Sequence, residues 1–167
     1  MANFKPMKPV KIEGGFDFPQ LAYLEGANQT FNPGTPLVAS GGYLVAGTSP
    51  SPSGLVGLSL AAGANLATAG ASLPYPNLGQ PLCVPTRPDI IFEGTLDVAA
   101  GNHALAATDI YAKYGIAQDP TSGNWYINQA DTTNTRVVVV GLVQDNPIGT
   151  VSARVYFKFL LSATIYN

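Results

Sequence analysis

Few residues in this chain have side chains suited to chemistry. His103 is the single histidine and Cys83 the single cysteine. A hydrolytic triad needs a base, a nucleophile and an orienting acid close in space. No Gly-x-Ser-x-Gly elbow is present to present a serine. His103, which follows Gly101-Asn102, reads as a surface or turn histidine. One histidine and one cysteine cannot supply the three or four ligands of a zinc site. Cys83 cannot form an internal disulfide, and reads as a small buried hydrophobe. Asp89, Glu93 and Asp97 recur every fourth residue. On one strand face such neighbours stand roughly 13 Å apart, wider than the about 5–10 Å of a glycosidase carboxylate pair. They read as a solvated strand face. A small hydrolase built on Asp89, Glu93 or His103 is the weakest of the functional readings.

Other ligand chemistry is equally sparse. No Gly-x-x-x-x-Gly-Lys loop is present to cradle a phosphate, and the oxygen-rich spacing of calcium loops is missing. The expectation is a protein with no catalytic residues, no cofactor and no metal. Trp125, Tyr126, Tyr156, Phe157 and Phe159 fall on predicted strands and read as core. Only Tyr156 and Trp125 qualify as members of an exposed carbohydrate platform.

The elements that must position these residues are β-strands. Pro36–Ala39 and Tyr43–Ala46 flank Ser40-Gly41-Gly42, a hairpin signal. Leu55–Leu60 is the next candidate. Ala62–Ser72 has room for one helical turn, and three glycines argue against more. Pro74–Pro88 holds five prolines and reads as an extended connection, not a central strand. In Asp89–Val98, Ile90, Phe92, Leu96 and Val98 share one face. Thr108–Ile116 and Trp125–Asn128 follow, separated by the turn Asp119-Pro-Thr-Ser-Gly123. Val137 to Val140 run together, as in a strand buried on both faces. In Gly149–Leu161, Val151, Ala153, Val155, Phe157, Phe159 and Leu161 point one way. No ten-residue amphipathic helix is found. The fold expected is all-β: a single β-sandwich or barrel-like domain, jelly-roll or tulip-like, over 21–167, with an extended N-terminal arm at 1–20.

Charge narrows the function further. The 167 residues are 46% apolar and only 11% charged, against about 25% charged in average soluble proteins. From Gly26 to Thr86 there is no Asp, Glu, Lys or Arg. Such a surface suits contact with another neutral protein surface, where an unpaired charge would be costly to bury. The net charge of −2 argues against nucleic acid and anionic membrane, which call for a basic patch. No secretory h-region is read at the start, and no apolar run is long enough to span a bilayer. The most basic segment is the arm, with Lys5, Lys8 and Lys11, where Pro6, Pro9 and Pro19 break helix. Phe4, Lys5, Phe16 and Phe18 are its expected anchors on a neighbouring subunit.

Residues 30–167 carry a family resemblance. Asp89-Ile-Ile-Phe-Glu-Gly-Thr-Leu96, Tyr114-Gly-Ile-Ala, Gly123-Asn-Trp-Tyr-Ile127 and Arg136-Val-Val-Val-Val-Gly-Leu142 are four of its stretches. Gly149-Thr-Val-Ser-Ala-Arg-Val-Tyr-Phe157 completes it, and Gly34-Thr-Pro-Leu-Val, Gly42-Tyr-Leu-Val-Ala-Gly and Val56-Gly-Leu-Ser-Leu resemble the barrel. Together they resemble the capsid decoration (cement) proteins of tailed bacteriophages. The resemblance implies a virion structural protein made in the host cytoplasm. It would sit on the capsid exterior and bridge major capsid protein subunits, as a homo-oligomer, trimer favoured over dimer. The alternative within the same class is a tail or head-fibre module that binds host-surface glycan.

Overall fold

A computed structural model describes residues 4–15, 17–70, 82–99 and 101–166. Its strands are β1 (Lys8–Ile12), β2 (Leu21–Ala22), β3 (Pro36–Ser40), β4 (Tyr43–Ala46), β5 (Leu55–Ser59), β6 (Leu82–Pro85), β7 (Ile90–Asp97), β8 (Lys113–Gln118), β9 (Trp125–Asn128), β10 (Val137–Leu142) and β11 (Arg154–Phe159). Ala107–Asp109 and Leu161–Ala163 are single 3-10 turns. The fold is all-β.

The alternating apolar pattern of β7 and β11 builds a closed barrel. The order is β7-β11-β10-β8-β9, and β9 pairs back onto β7 in parallel, Leu96 opposite Ile127 and Asp97 opposite Asn128. Closure leaves no free edge in this ring. Phe92, Phe157 and Phe159 are buried together with ring centroids 5.1 to 5.7 Å apart. Such aromatic pairs contribute about 0.5–1.5 kcal/mol each beyond the area they bury. Ile116, Ile127, Val137, Val139 and Val155 complete the same core.

The second sheet runs β2-β6-β5-β3-β4 and is antiparallel throughout. Gly41 and Gly42, at φ of 57° and 87°, make the two-residue turn between β3 and β4. Both positions need positive φ to match the strand twist, which is why glycine occupies them. The chain leaving β2 returns along the outer edge of β4: Leu44 donates its N–H to Leu24 O, and its carbonyl accepts from Gly26 N, both at 2.9 Å. Leu55, Leu58 and Val84 join the barrel's core, so the two sheets share one apolar interior. Phe31, Leu37 and Cys83 form a smaller cluster within the second sheet. Cys83 is the buried hydrophobe expected, and burial pushes its thiol up to about 11.

Four expectations need correction. β6 falls inside the proline-rich stretch and lies between β2 and β5, so it is an interior strand. Its one proline, Pro85, stands at the strand's end, where a missing N–H is tolerated. β10 is not buried on both faces: Val137 and Val139 are buried, but Val138 and Val140 are half-exposed. Val151 and Leu161 do not point inward; both are exposed, Val151 because Ser152 takes a positive φ of 52° and turns the chain before β11 begins, and Leu161 because β11 ends at Phe159 and a 3-10 turn follows. Glu93, Thr95 and Asp97 are not solvated. Both faces of β7 are buried, since partners from other strands cover the polar one. The remainder of the proline-rich stretch, through residue 81, lies outside the described residues.

Candidate functional site

The expected arm is where the site begins. Residues 8–12 form a strand of the molecule's own sheet, antiparallel to the first half of β7, with Lys8 opposite Glu93 and Ile12 opposite Ile90. Gly94 makes that approach possible, because a Cβ there would lie 2.9 Å from the Phe157 ring and 3.3 Å from Met7. Phe4 is buried and stacks on Tyr126 of β9, with centroids 4.5 Å apart. Asn124 Nδ2 donates to the Phe4 carbonyl at 2.7 Å. Phe4 is therefore not an exposed anchor: its ring is spent on its own barrel, where apolar burial outweighs exposure to solvent. Phe18 is half-buried and packs against the main core. Phe16 lies outside the described residues. Lys5 is exposed, the one exposed side chain of these four among the described residues.

Lys5 borders a pocket of about 410 Å³. One side of it is the segment Lys5–Pro9, and Pro33, Gly34, Ser59 and Leu60 come from the second sheet and its approach. Gly34, at φ 81°, sits so close to Met7 that a Cβ would meet the Met7 carbonyl at 2.4 Å. That contact joins the second sheet to the N-terminal segment. Glu93 and Arg154 complete the lining.

The charges there form a chain of pairs. Glu93 accepts from Arg154 Nε through one oxygen and meets Lys8 Nζ at 3.2 Å through the other. Arg154 Nη2 also donates to the Pro6 carbonyl at 3.3 Å. Burial by itself would raise the Glu93 pKa. The hydrogen bonds and charges of Arg154 and Lys8 overcome that, so the carboxyl is held below its ordinary value. Arg154 Nη1 is buried and has no acceptor among the described residues.

A second polar cluster lies at the other end of β7. Asp97 is fully buried and accepts from the backbone N–H of Val98 and His103 at 2.7 and 2.9 Å, and from Ser152 Oγ. His103 Nε2 lies 2.9 Å from Asp109 Oδ2, and the Tyr114 hydroxyl donates to Asp109 Oδ1 at 2.6 Å. His103 is thus not a surface histidine, its side chain being only 15% exposed. Burial works to raise the Asp109 pKa, but Tyr114, the Ala106 N–H and His103 together hold it below its usual value. Burial, reinforced by Asp109, pushes the Tyr114 hydroxyl well up. The serine and the imidazole bond to different acids: Ser152 Oγ goes to Asp97 and, at 3.4 Å, to the Gly101 carbonyl. The cluster is wired as two separate buried pairs, not as a nucleophile with its base. Nothing in the spacing of Ser152, Asp109 and Tyr114 announced this grouping.

The remaining nominated residues are dispersed. Asp89 pairs with Arg87 at 2.7 Å near the surface. Trp125 is buried, so it offers no face to a sugar, and Tyr156 is half-buried. No group of three His, Cys, Asp or Glu among the described residues is placed to hold a metal ion. No protein-family model, curated protein or solved structure matches the chain. The class rests on the fold itself: an all-β protein made of a closed five-strand barrel and a second sheet packed on it.

Proposed function

We propose that this chain is a viral structural protein that binds the outer surface of an icosahedral phage capsid and bridges major capsid protein subunits. It would do so as a homo-oligomer, a trimer rather than a dimer, without nucleic acid or membrane. The observation that carries this reading is the make-up of the second sheet. None of its five strands holds a charged residue, and Glu25 beside it is buried, both oxygens accepting from the Ala64 N–H. A sheet of this kind docks on a neutral protein surface without stripping water from a charge. Leu21 and Leu24, at and after β2, and Ile165 and Tyr166 near the C-terminal turn are exposed apolar groups. Tight turns and prolines reduce the entropy lost on docking, and repeated shell sites multiply modest contacts.

The test is the copy number of the protein in purified virus particles, by quantitative mass spectrometry. Hundreds of copies in fixed ratio to the major capsid protein are expected. A few copies or tens would place it in a tail or fibre, and absence would overturn the virion reading.

A further inference from the structure

The pocket beside Lys5 differs in charge from the rest of the chain. Its lining carries Lys5, Lys8 and Arg154 against the single carboxylate of Glu93, in a chain whose net charge is −2. Both Glu93 oxygens are already taken by Arg154 and Lys8. Lys5 forms no ion pair among the described residues, whereas the unpaired Arg154 nitrogen is buried and out of a ligand's reach. The site therefore holds more cationic donors than acceptors, which is the imbalance an incoming anion corrects.

Shape and polarity restrict that anion. Met7, Pro33 and Leu60 also line the pocket, and a nucleic-acid backbone calls instead for a basic track with little apolar surface. Five consecutive residues, Lys5–Pro9, line the pocket, and such a stretch would span roughly 13 Å at strand rise. That length matches about four residues of an extended peptide, with apolar side chains beside one acidic one.

We propose that this pocket takes an Asp or Glu side chain carried on an extended segment of the protein on which this chain docks. The proposal rests on the docking reading above for the identity of that partner, and on the pocket alone for its chemistry. Lys5 and Lys8 meet the carboxylate, while Pro33 and Leu60 receive its apolar neighbours.

The test uses the full-length protein and a library of random hexapeptides on solid support, with the bound peptides sequenced. Recovered peptides are expected to be enriched in Asp or Glu at one position. Lys5→Glu should weaken the best peptide about tenfold, the factor for 1.4 kcal/mol, and Lys5→Arg should retain it. Lys5 is exposed and forms no ion pair among the described residues, so these variants keep the fold, as an unchanged thermal midpoint would verify. No bound peptide, no acidic enrichment, or equal binding by Lys5→Glu would each overturn the proposal. High copy number in particles with a failed library would leave the capsid reading standing and remove the pocket. Acidic enrichment with absence from particles would do the reverse, and make the partner some other protein.

Discussion

The two sheets use opposite means to satisfy their polar groups. The barrel buries charge and pairs it: Glu93 with Arg154 and Lys8, Asp109 with Tyr114 and His103, Asp97 with Ser152. The second sheet has no charged strand residue and relies on backbone pairing, including the return of Leu24–Gly26 along β4. Charge touches the neutral region mainly where the two halves join. Arg136 Nε donates to the Ser51 and Pro52 carbonyls at 3.0 and 2.7 Å, and the Ser51 hydroxyl donates to Asp131 Oδ2 at 2.9 Å. The difference teaches a division of labour. The Glu93–Arg154 pair ties β7 to β11 within the barrel, while a neutral sheet is left with a face that loses little when water is removed.

The largest losses of stability are expected in the core. Phe157→Ala in the barrel should cost about 3–5 kcal/mol. Leu37→Ala, in the smaller cluster of the second sheet, should fall nearer the lower end of about 2–5 kcal/mol. Because Leu55, Leu58 and Val84 belong to the barrel's core, both variants should melt in one transition. Circular dichroism and the fluorescence of buried Trp125 should report the same midpoint. Two separated transitions would mean the halves are independent.

Next in size is the ion pair. Arg154→Met leaves Glu93 buried with only Lys8, at a cost of about 2–4 kcal/mol. Adding Glu93→Gln should recover much of that loss, a coupling that a double-mutant cycle in urea measures. Additive losses would show that the pair does not act as a unit.

Asp109→Asn comes third, at about 1–3 kcal/mol, because the amide turns an N–H toward donors that need an acceptor. The pH dependence has a definite sign. Glu93 and Asp109 have folded pKa values below their ordinary ones. Their contribution is therefore complete above the unfolded carboxyl range, near about 4, and is lost as pH falls through the depressed folded values. The thermal midpoint should be flat from neutrality to about pH 5 and fall below about pH 4. Asp109→Asn should flatten that acid limb, and an unchanged limb would remove Asp109 from the account.

The smallest effect on stability is expected in the neutral sheet, where a substitution tests docking instead of folding. Ala22 is exposed on β2, so Ala22→Lys should shift stability by no more than about 0.5 kcal/mol. Under the docking reading its occupancy on virus shells should drop, since the new charge must be dehydrated on contact. Full occupancy would assign the contact to another face.

Strand identity was largely legible from residue order. The hairpin at Gly41-Gly42 and the alternation through β7 and β11 follow from turn chemistry and side-chain period, which act over a few residues, and the burial of Cys83 from the apolar character of a lone thiol. β6 was hidden because the prolines of the stretch around it disfavour a central strand, and only pairing on both sides with β2 and β5 overrides that. The burial of Glu93 and Asp97 was hidden because period two is the same whether a polar face meets water or a partner. Their partners, Arg154 and Ser152, lie 61 and 55 residues away.

By itself, then, the sequence determined an all-β chain with an uncharged middle and a basic, proline-broken N-terminal segment, since propensity, period and charge are local or additive properties. Tertiary structure alone decided that this segment becomes β1 of the main sheet, that Phe4 is consumed by Tyr126, and that Lys5, Lys8, Glu93 and Arg154 line one pocket. Those outcomes depend on which distant strands become neighbours. Ring closure between β7 and β9 and the packing of the second sheet on the barrel set that, and neither leaves a trace in local residue spacing.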